Sequence, residues 1–457
     1  LEWFKLINVK CVVIGGGAAG MAAALGAKQQ GLDDILILEY RKELGGVLNQ
    51  CIHNGFGLHY FNRDMTGPEY SEAFAKKISE ENIPYDLNCT VLEVNKYKVI
   101  TATAPNKGVF KIKAEAIIIA TGAREKSLNS LILESSRPSG MYSAGTVQEM
   151  MNRKGVCPGS KAVIVGSGDI GLIMARRMAL NGVDVKAVLE IASKPSGFAR
   201  NIQQCLKDFS IPIYMNTTII KILGKESVEK VVVANVDENL EPIPHTEREV
   251  DCDIIVSSIG LVPDIEILVD GIGEGIFLCG NALRIQGLVD HVTLGGLEAG
   301  KLAAEYIIGG SVHTKDSLAD CCKDSELVDE INSIEEDGQA ITAVTCILCP
   351  KGCFVQGTFD TAQIKVWGNK CNKGHEFFLE EIREKKRTFT GSVRLNDEIE
   401  IMLPVRSDRP IPQSNFIPLT QALKKYKINP PISMGDIVIS NPFGMEVNIK
   451  ASRSVGK

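Results

Sequence analysis

Residues 11–20 read CVVIGGGAAG and residues 162–171 read AVIVGSGDIG, two copies of one pattern in a single chain. In each, an apolar run that reads as a buried strand meets glycines spaced G-x-G-x-x-G: Gly15, Gly17 and Gly20 first, then Gly166, Gly168 and Gly171. An acidic residue follows 19 positions after the last glycine in both copies, Glu39 at the end of DDILILE and Glu190 at the end of VDVKAVLE. The spacing has a physical reason. The first glycine allows a tight turn, the second lets the backbone approach a pyrophosphate, and the third lets helix pack on strand, so that the helix N-terminus faces the anion. A glutamate at the tip of the next strand accepts hydrogen bonds from a ribose diol. Two dinucleotide sites in one chain point to redox chemistry.

The 457 residues suffice for two to four domains, and 44% hydrophobic with 23% charged residues is ordinary for a soluble globular protein. The formal net charge of -6 gives no reason to expect nucleic acid. Charge is unevenly spread: from residue 341 onward there are 17 basic and 11 acidic residues, so this tail carries +6 and the rest -12. A basic tail can dock on an acidic body or a partner. Residues 11–27 hold no charge, but the glycine pattern explains that run better than a signal or membrane span, and no other segment approaches the roughly 20 apolar residues needed to cross a bilayer. Thirteen cysteines without a secretory signal predict a reducing, cytoplasmic setting, where clustered cysteines more often hold metal than disulfides. The chain begins at Leu1, so a true start upstream is expected.

From residue 10 to about 310 strands alternate with helices, and AEAIIIATG (114–122) and CDIIVSSIG (252–260) bracket the second glycine pattern. That is the order expected when one nucleotide domain is inserted into another. Residues 313–340 are acidic and irregular and read as a linker. Beyond 341 come short β-rich runs, IEIMLPV, GDIVIS and MEVNIKA, with a short helix near LTQALKKYK.

The first 310 residues resemble the two-dinucleotide flavoprotein oxidoreductases, the superfamily of the pyridine nucleotide-disulfide reductases. The resemblance rests on both glycine patterns, Glu39, Gly45-Gly46, ATGAR at 120–124 and GIFLCGN at 275–281. It implies an α/β fold in which a Rossmann-type NAD domain (125–254) is inserted into a split FAD domain (1–124 and 255–312), with a 313–340 linker and a four-cysteine domain at 341–457. It further implies that Gly15, Gly17, Gly20, Glu39, Gly46, Thr121, Gly122, Gly280 and Asn281 serve FAD, while Gly166, Gly168, Gly171 and Glu190 serve NAD(H). A helix from about Val292 would aim its N-terminus at the flavin. A narrower group, marked here by LGGVLNQCIHNGFGLHYF, MTGPEY, RPSGMYSAGTVQ and VGSGDIGLIMARR, typically accompanies an anaerobic glycerol-3-phosphate dehydrogenase. Glu190 favours the free 2'-hydroxyl of NAD over the phosphate of NADP. Lys194 and Arg200 lie downstream and read as surface cations.

Two departures from the family pattern stand out. Disulfide reductases carry a cysteine pair just after the Gly-Gly turn, whereas here Cys51 stands alone, followed by His53 and His59. Cys51 either packs beside the flavin or cycles alone through a sulfenic acid, and the histidines either contact flavin or substrate or only satisfy local hydrogen bonds. Between Pro263 and Gly275 only DIEILVDGIGE remains where relatives have a longer, hairpin-containing segment, which bears on FAD affinity.

The tail holds Cys346, Cys349 and Cys353 in C-x2-C-x3-C spacing, with Cys371 eighteen positions later. Three close thiolates and a distant fourth suit a 4Fe-4S cluster. Zinc is the alternative, with His375 joining Cys371 as a second pair. The segment resembles the N-terminal cluster motif of molybdopterin oxidoreductases, and the tail resembles an uncharacterised four-cysteine family encoded beside such flavoproteins. Cys321 and Cys322, in the linker, read as incidental thiols.

Together these readings predict an FAD-dependent NAD(H) oxidoreductase relaying electrons to a partner dehydrogenase subunit, acting on a small redox substrate and free to form a homodimer. A second reading is a peroxide or disulfide reductase built on Cys51 with His53 and a structural zinc tail. A third is a non-catalytic FAD-binding redox sensor or scaffold.

Overall fold

The computed structural model describes residues 6–128, 135–309, 341–359, 364–397 and 401–456. These fall into two compact units, one holding residues 6–124 and 261–309, the other 125–260 and 341–456. Cys321, Cys322 and the acidic stretch 313–340 lie outside the described residues.

The first unit is built on a seven-stranded sheet in the order Tyr85–Asp86, Ile35–Leu38, Leu6–Ile14, Gly108–Ile119, Val99–Ala104, Thr90–Val94, with Ile276–Leu278 also pairing Gly108–Ile119. The strand Gly108–Ile119 begins six residues before the apolar run AEAIIIATG. Its first half pairs antiparallel with Val99–Ala104 and its last three residues pair parallel with Ile276–Leu278. Alternate residues of Leu6–Ile14 serve different cores: Cys11 and Val13 pack under the helices, Val12 and Ile14 on the opposite face.

Helix Ala18–Gln29 lies against helix Val289–Gly309, which starts three residues earlier than the sequence suggests. Their contact is nearly backbone on backbone. A Cβ at Gly296 would lie 2.3 Å from the Ala19 carbonyl oxygen, and one at Gly300 would lie 1.9 Å from that of Ala23. The alanine-rich run MAAALGA supplies the matching small surface, so its missing charge is explained by close packing. No helix among the described residues is long and apolar enough to cross a membrane. The short segment 264–275 forms a turn pinned by Val94 N donating to Ile267 O at 2.7 Å, and leads directly into Ile276–Leu278.

The second unit repeats the design. Five parallel strands run in the order Met141–Ser143, Ile254–Ser257, Lys161–Val165, Asp184–Leu189, Ile213–Tyr214. One face packs helices Ala144–Asn152 and Asp169–Leu180; the other packs an antiparallel meander, Thr217–Leu223, Lys230–Asn235 and Arg248–Asp251. The C-terminal residues add a three-stranded sheet (Ile341–Thr345, Phe354–Phe359, Ile364–Trp367) with helix Asn372–Arg383. A five-stranded sheet follows, with helix Phe416–Leu423. The latter sheet's core includes Leu180 of the parallel-sheet domain and packs against Phe209. Arg387 joins Asp208 at 2.8 Å and Glu381 at 2.6 Å, all three side chains under 5% exposed. The parallel-sheet domain and the tail therefore share a continuous interior.

Candidate active site: two nucleotide cradles and a cysteine hairpin

The first cradle is set by backbone geometry that only glycine tolerates at one point and that leaves room at another. Gly15 adopts φ +103°, and a Cβ there would sit 2.4 Å from the Ala120 carbonyl oxygen. A Cβ at Gly20 would lie 1.8 Å from Gly15 O, which is the helix-on-strand contact the third glycine permits. Gly17 caps helix Ala18–Gln29 and has nothing within 4 Å of its would-be Cβ. Open space over a helix N-terminus suits an anion such as a pyrophosphate. Gly45–Gly46 folds across it, Gly46 bringing a would-be Cβ within 3.2 Å of Gly17 Cα. Glu39, 2% exposed, accepts from Gly16 N at 2.6 Å and from Arg41 N at 2.8 Å. Burial pushes its carboxyl pKa up, partly offset by these donors and the Arg41 charge. Each carboxylate oxygen keeps a further acceptor site for a ribose hydroxyl.

Thr121 donates its hydroxyl to Asp264 O, and Gly122, at φ +78°, accepts at its carbonyl from Asp264 N at 3.0 Å. Gly280, at φ +57°, abuts Ala19, and Asn281 Oδ1 accepts from Gln286 N at 3.0 Å. All lie in the first unit with Gly15, Gly17 and Gly20.

The second cradle repeats the first almost bond for bond. A Cβ at Gly166 (φ +94°) would meet the Ser258 carbonyl oxygen at 2.2 Å, as Gly15 meets Ala120. Gly171 packs on Gly166 O, and Gly168 caps helix Asp169–Leu180 with no atom nearer than 3.5 Å to its would-be Cβ. Glu190, 6% exposed, accepts from Ser167 N at 2.9 Å, from the Ser167 hydroxyl, and from Ala192 N at 2.9 Å. Asp169, in the helix's first turn, is directed away, accepting from Phe198 N and Asn201 Nδ2 at 2.8 and 2.7 Å. Lys194 is exposed, but Arg200 is 9% exposed over the Phe198 ring and is not a surface cation. Gly352 of the cysteine loop approaches its backbone, a would-be Cβ on that glycine lying 3.5 Å from Arg200 N.

Cys51 is half-buried at the end of the turn Gly46–Gln50, its carbonyl accepting from Gly67 N at 2.9 Å. His53 stacks on Phe56 with ring centres 4.8 Å apart, its Nδ1 3.1 Å from Asn54 O. His59 contributes its backbone: its N–H donates to Asp290 Oδ2 at 3.1 Å. Sequence reading missed this cluster. Asp290, 3% exposed in the first turn of Val289–Gly309, also takes the Tyr70 hydroxyl, which lies 2.7 Å from Thr293 Oγ1. An acid there opposes part of the positive end of the helix dipole.

The cysteine motif forms the loop of a hairpin. Strands Ile341–Thr345 and Phe354–Phe359 pair antiparallel, and Cys346 N donates to Cys353 O at 2.8 Å, closing the loop that carries Cys349. Cys371 caps helix Asn372–Arg383. Cys346 and Cys353 are buried, Cys349 half-buried and Cys371 exposed. Burial, helped by the charges of Cys349, Cys353 and Cys371, raises the Cys346 pKa, so the four thiols share one neighbourhood. The donor set suits a thiolate-bound centre. Among the described residues, however, no three Cys, His, Asp or Glu side chains already converge on a metal position.

A family model described as pyridine nucleotide-disulphide oxidoreductase matches residues 9–279, which include both cradles. The chain belongs to that family. In class it is an FAD-dependent NAD(P)H oxidoreductase, with the Rossmann-type α/β fold of such flavoproteins and a separate β-rich C-terminal region. Among relatives of this oxidoreductase, the hydrogen cyanide synthase subunit HcnB of Pseudomonas protegens is 24% identical over 278 residues, covering 56% of this chain and 57% of that one. The NADH oxidase of Methanocaldococcus jannaschii is 25% identical over 277 residues, 57% of this chain and 56% of that one. The chain thus spans little more than half the length of these two relatives. The thioredoxin reductase structure from Lactococcus lactis aligns with TM-score 0.53 at 19% identity, covering 66% of this chain and 99% of that one. A second model, a protein of unknown function (DUF1667), matches residues 372–453, beginning one residue past Cys371.

The signal for the abutting carbonyls was present in the oxidoreductase sequence: ATG at 120–122 and SIG at 258–260 each end an apolar run, and each supplies the carbonyl that its cradle's first glycine must meet. Asp290 had no such signal.

Proposed function

We propose that the chain is an NADH-preferring, FAD-dependent oxidoreductase serving as the electron-transfer component of a larger dehydrogenase system of the glycerol-3-phosphate type. The observation that carries this is the repeated cradle: in each, a Cβ on the middle glycine at a helix N-terminus would meet no protein atom closer than 3.5 Å, and a buried glutamate accepts from the backbone N–H of the residue before that glycine. Gly15, Gly17, Gly20, Gly46, Thr121, Gly122, Gly280 and Asn281 would hold FAD with Glu39 on its ribose; Gly166, Gly168 and Gly171 would hold NADH with Glu190 on its ribose. When bound, FAD accepts two electrons as hydride and releases them singly. Glu190, already holding three donors, would repel a 2'-phosphate. Cys346, Cys349, Cys353 and Cys371 would hold a 4Fe-4S cluster, which supplies one-electron transfer. A partner subunit is supported by the HcnB relative being named a subunit of a synthase, and by the +6 charge of the tail.

Anaerobic purification with flavin, iron, sulfide and zinc analysis tests the reading. The expected result is one FAD and about four iron and four sulfide per chain, with the flavin bleached faster by NADH than by NADPH. Zinc without sulfide would remove the cluster and leave the flavin reading standing. A flavin that NADH does not bleach would overturn the enzyme reading in favour of a redox sensor.

A second reading is favoured by the exposure of one thiol. Cys51 is half-buried, whereas Cys11, Cys89 and Cys279 in the same unit are buried, with thiols pushed up by desolvation to about 12, 11 and 12. That exposure supports a reading in which Cys51 acts alone on peroxide or a disulfide, with His53 beside it in sequence. Cys51→Ser separates the two: NADH turnover with an artificial acceptor is expected to survive, and peroxide turnover that disappears in the variant would establish the second reading.

A further inference from the structure

Helix Asp169–Leu180 ends in two adjacent guanidiniums, Arg176 and Arg177, only 6% and 8% exposed. A basic last turn is ordinary on an exposed helix, where it complements the dipole. This one is covered by the C-terminal domain. Arg177 donates from Nε to Asn152 Oδ1 at 2.8 Å and from Nη2 to Ser392 Oγ at 2.6 Å, both neutral acceptors. The charged groups acting on it are Arg176, of like sign, and the Cys157 thiol; burial first, and then Arg176, push its pKa down to about 10. No carboxylate pairs with it among the described residues. A buried cation without a counter-ion is costly, and the cost falls when an anion arrives.

Arg177 lines a cleft of about 320 Å³ between the second Rossmann domain and the C-terminal domain. Among the described residues two more cations line it, Arg394 and Lys424, and no aspartate or glutamate does. Lys424 Nζ donates to Asn181 O at 3.2 Å, which holds it at the rim, while the Thr420 hydroxyl donates its proton to Phe416 O at 2.8 Å. Met151, Met402 and Leu423 make an apolar wall. The volume is at the low end of small-molecule sites, about 300–1,000 Å³. Arg177 lies nine residues past Gly168, about 13 Å along the helix, so the cleft is at the opposite end from the cradle.

We propose that this cleft binds a small organic oxyanion, a carboxylate or phosphate ester, with Arg177, Arg394 and Lys424 on the charge and the methionine wall on the carbon part. The site shares no residue with either cradle and joins residues of two domains. Its occupancy therefore reports to the Rossmann helix on one side and to the tail on the other.

The test uses the flavin-loaded full chain, titrated calorimetrically with inorganic phosphate and, separately, with succinate, each against chloride at matched ionic strength. At least one of the two anions is expected to bind. Arg394→Ala/Lys424→Ala, which changes two exposed side chains and leaves Arg177 in place, is expected to weaken that binding about tenfold or more without lowering the melting temperature of the unliganded protein. Cys157 is exposed and lines the cleft, so its alkylation, followed by peptide mass spectrometry, should be slowed by the bound anion in the native chain and not in the variant. Binding should persist under saturating NAD. The proposal is overturned if neither anion binds beyond chloride, if the double variant binds as the native chain does, or if saturating NAD abolishes the binding.

Discussion

Gly17→Ala is expected to give a folded protein with weakened flavin binding. The backbone at Gly17 has φ -76° and ψ -169°, open to alanine, and the added methyl meets no protein atom within 4 Å. On the proposed reading, what the methyl would meet is the pyrophosphate of FAD. Forcing a methyl into such a contact costs about 1–3 kcal/mol, or roughly five- to 150-fold in FAD affinity. Flavin content after gel filtration, with far-ultraviolet circular dichroism as the check on folding, measures it. Gly15→Ala makes the contrast: at φ +103°, with Ala120 O 2.4 Å from the new Cβ, it is expected to cost the fold itself. A Gly17→Ala protein that binds FAD as tightly as the native chain would place the cofactor elsewhere.

The matching change in the second cradle, Gly168→Ala, is expected to raise KM for NADH by about tenfold or more while leaving flavin content unchanged. Its backbone, at φ -62° and ψ 157°, also admits alanine, and the nearest atom to the new methyl is Ser258 Oγ at 3.5 Å, an ordinary contact. Reduction of the bound flavin by dithionite should be unaffected. Stopped-flow flavin reduction at varied NADH separates binding from the chemical step. If Gly168→Ala instead removed the flavin, the assignment of the two cradles would be reversed.

Both cradles were legible in the sequence because their demands are local. A tight turn, a close backbone approach and an acid 19 residues on are properties of one strand, one helix and the next strand. The packing of Ala18–Gln29 on Val289–Gly309 was half legible, since the small residues were visible while their pairing across some 270 positions was not. What escaped was non-local. The first half of Gly108–Ile119 alternates as GVFKIKA and pairs antiparallel, so it carried no parallel-strand signature. Asp290 meets Tyr70 from 220 positions away, and Arg387 meets Asp208 from 179. Arg200 read as a surface cation because nothing in its neighbours announces burial. The cysteine spacing named a donor set and could not say whether the thiols converge.

The buried Arg387–Asp208 pair, with Leu180 inside the tail's core, changes what modularity means for this chain. The tail looks in sequence like a detachable cassette joined by an acidic tether. Its interior is nevertheless completed by side chains that belong to the nucleotide domain. Cleaving the tether would leave the two parts held by their shared core, and deleting the tail would bare a hydrophobic and charged scar on the nucleotide domain. Where these parts occur as separate polypeptides, the same surfaces would have to serve as a subunit interface.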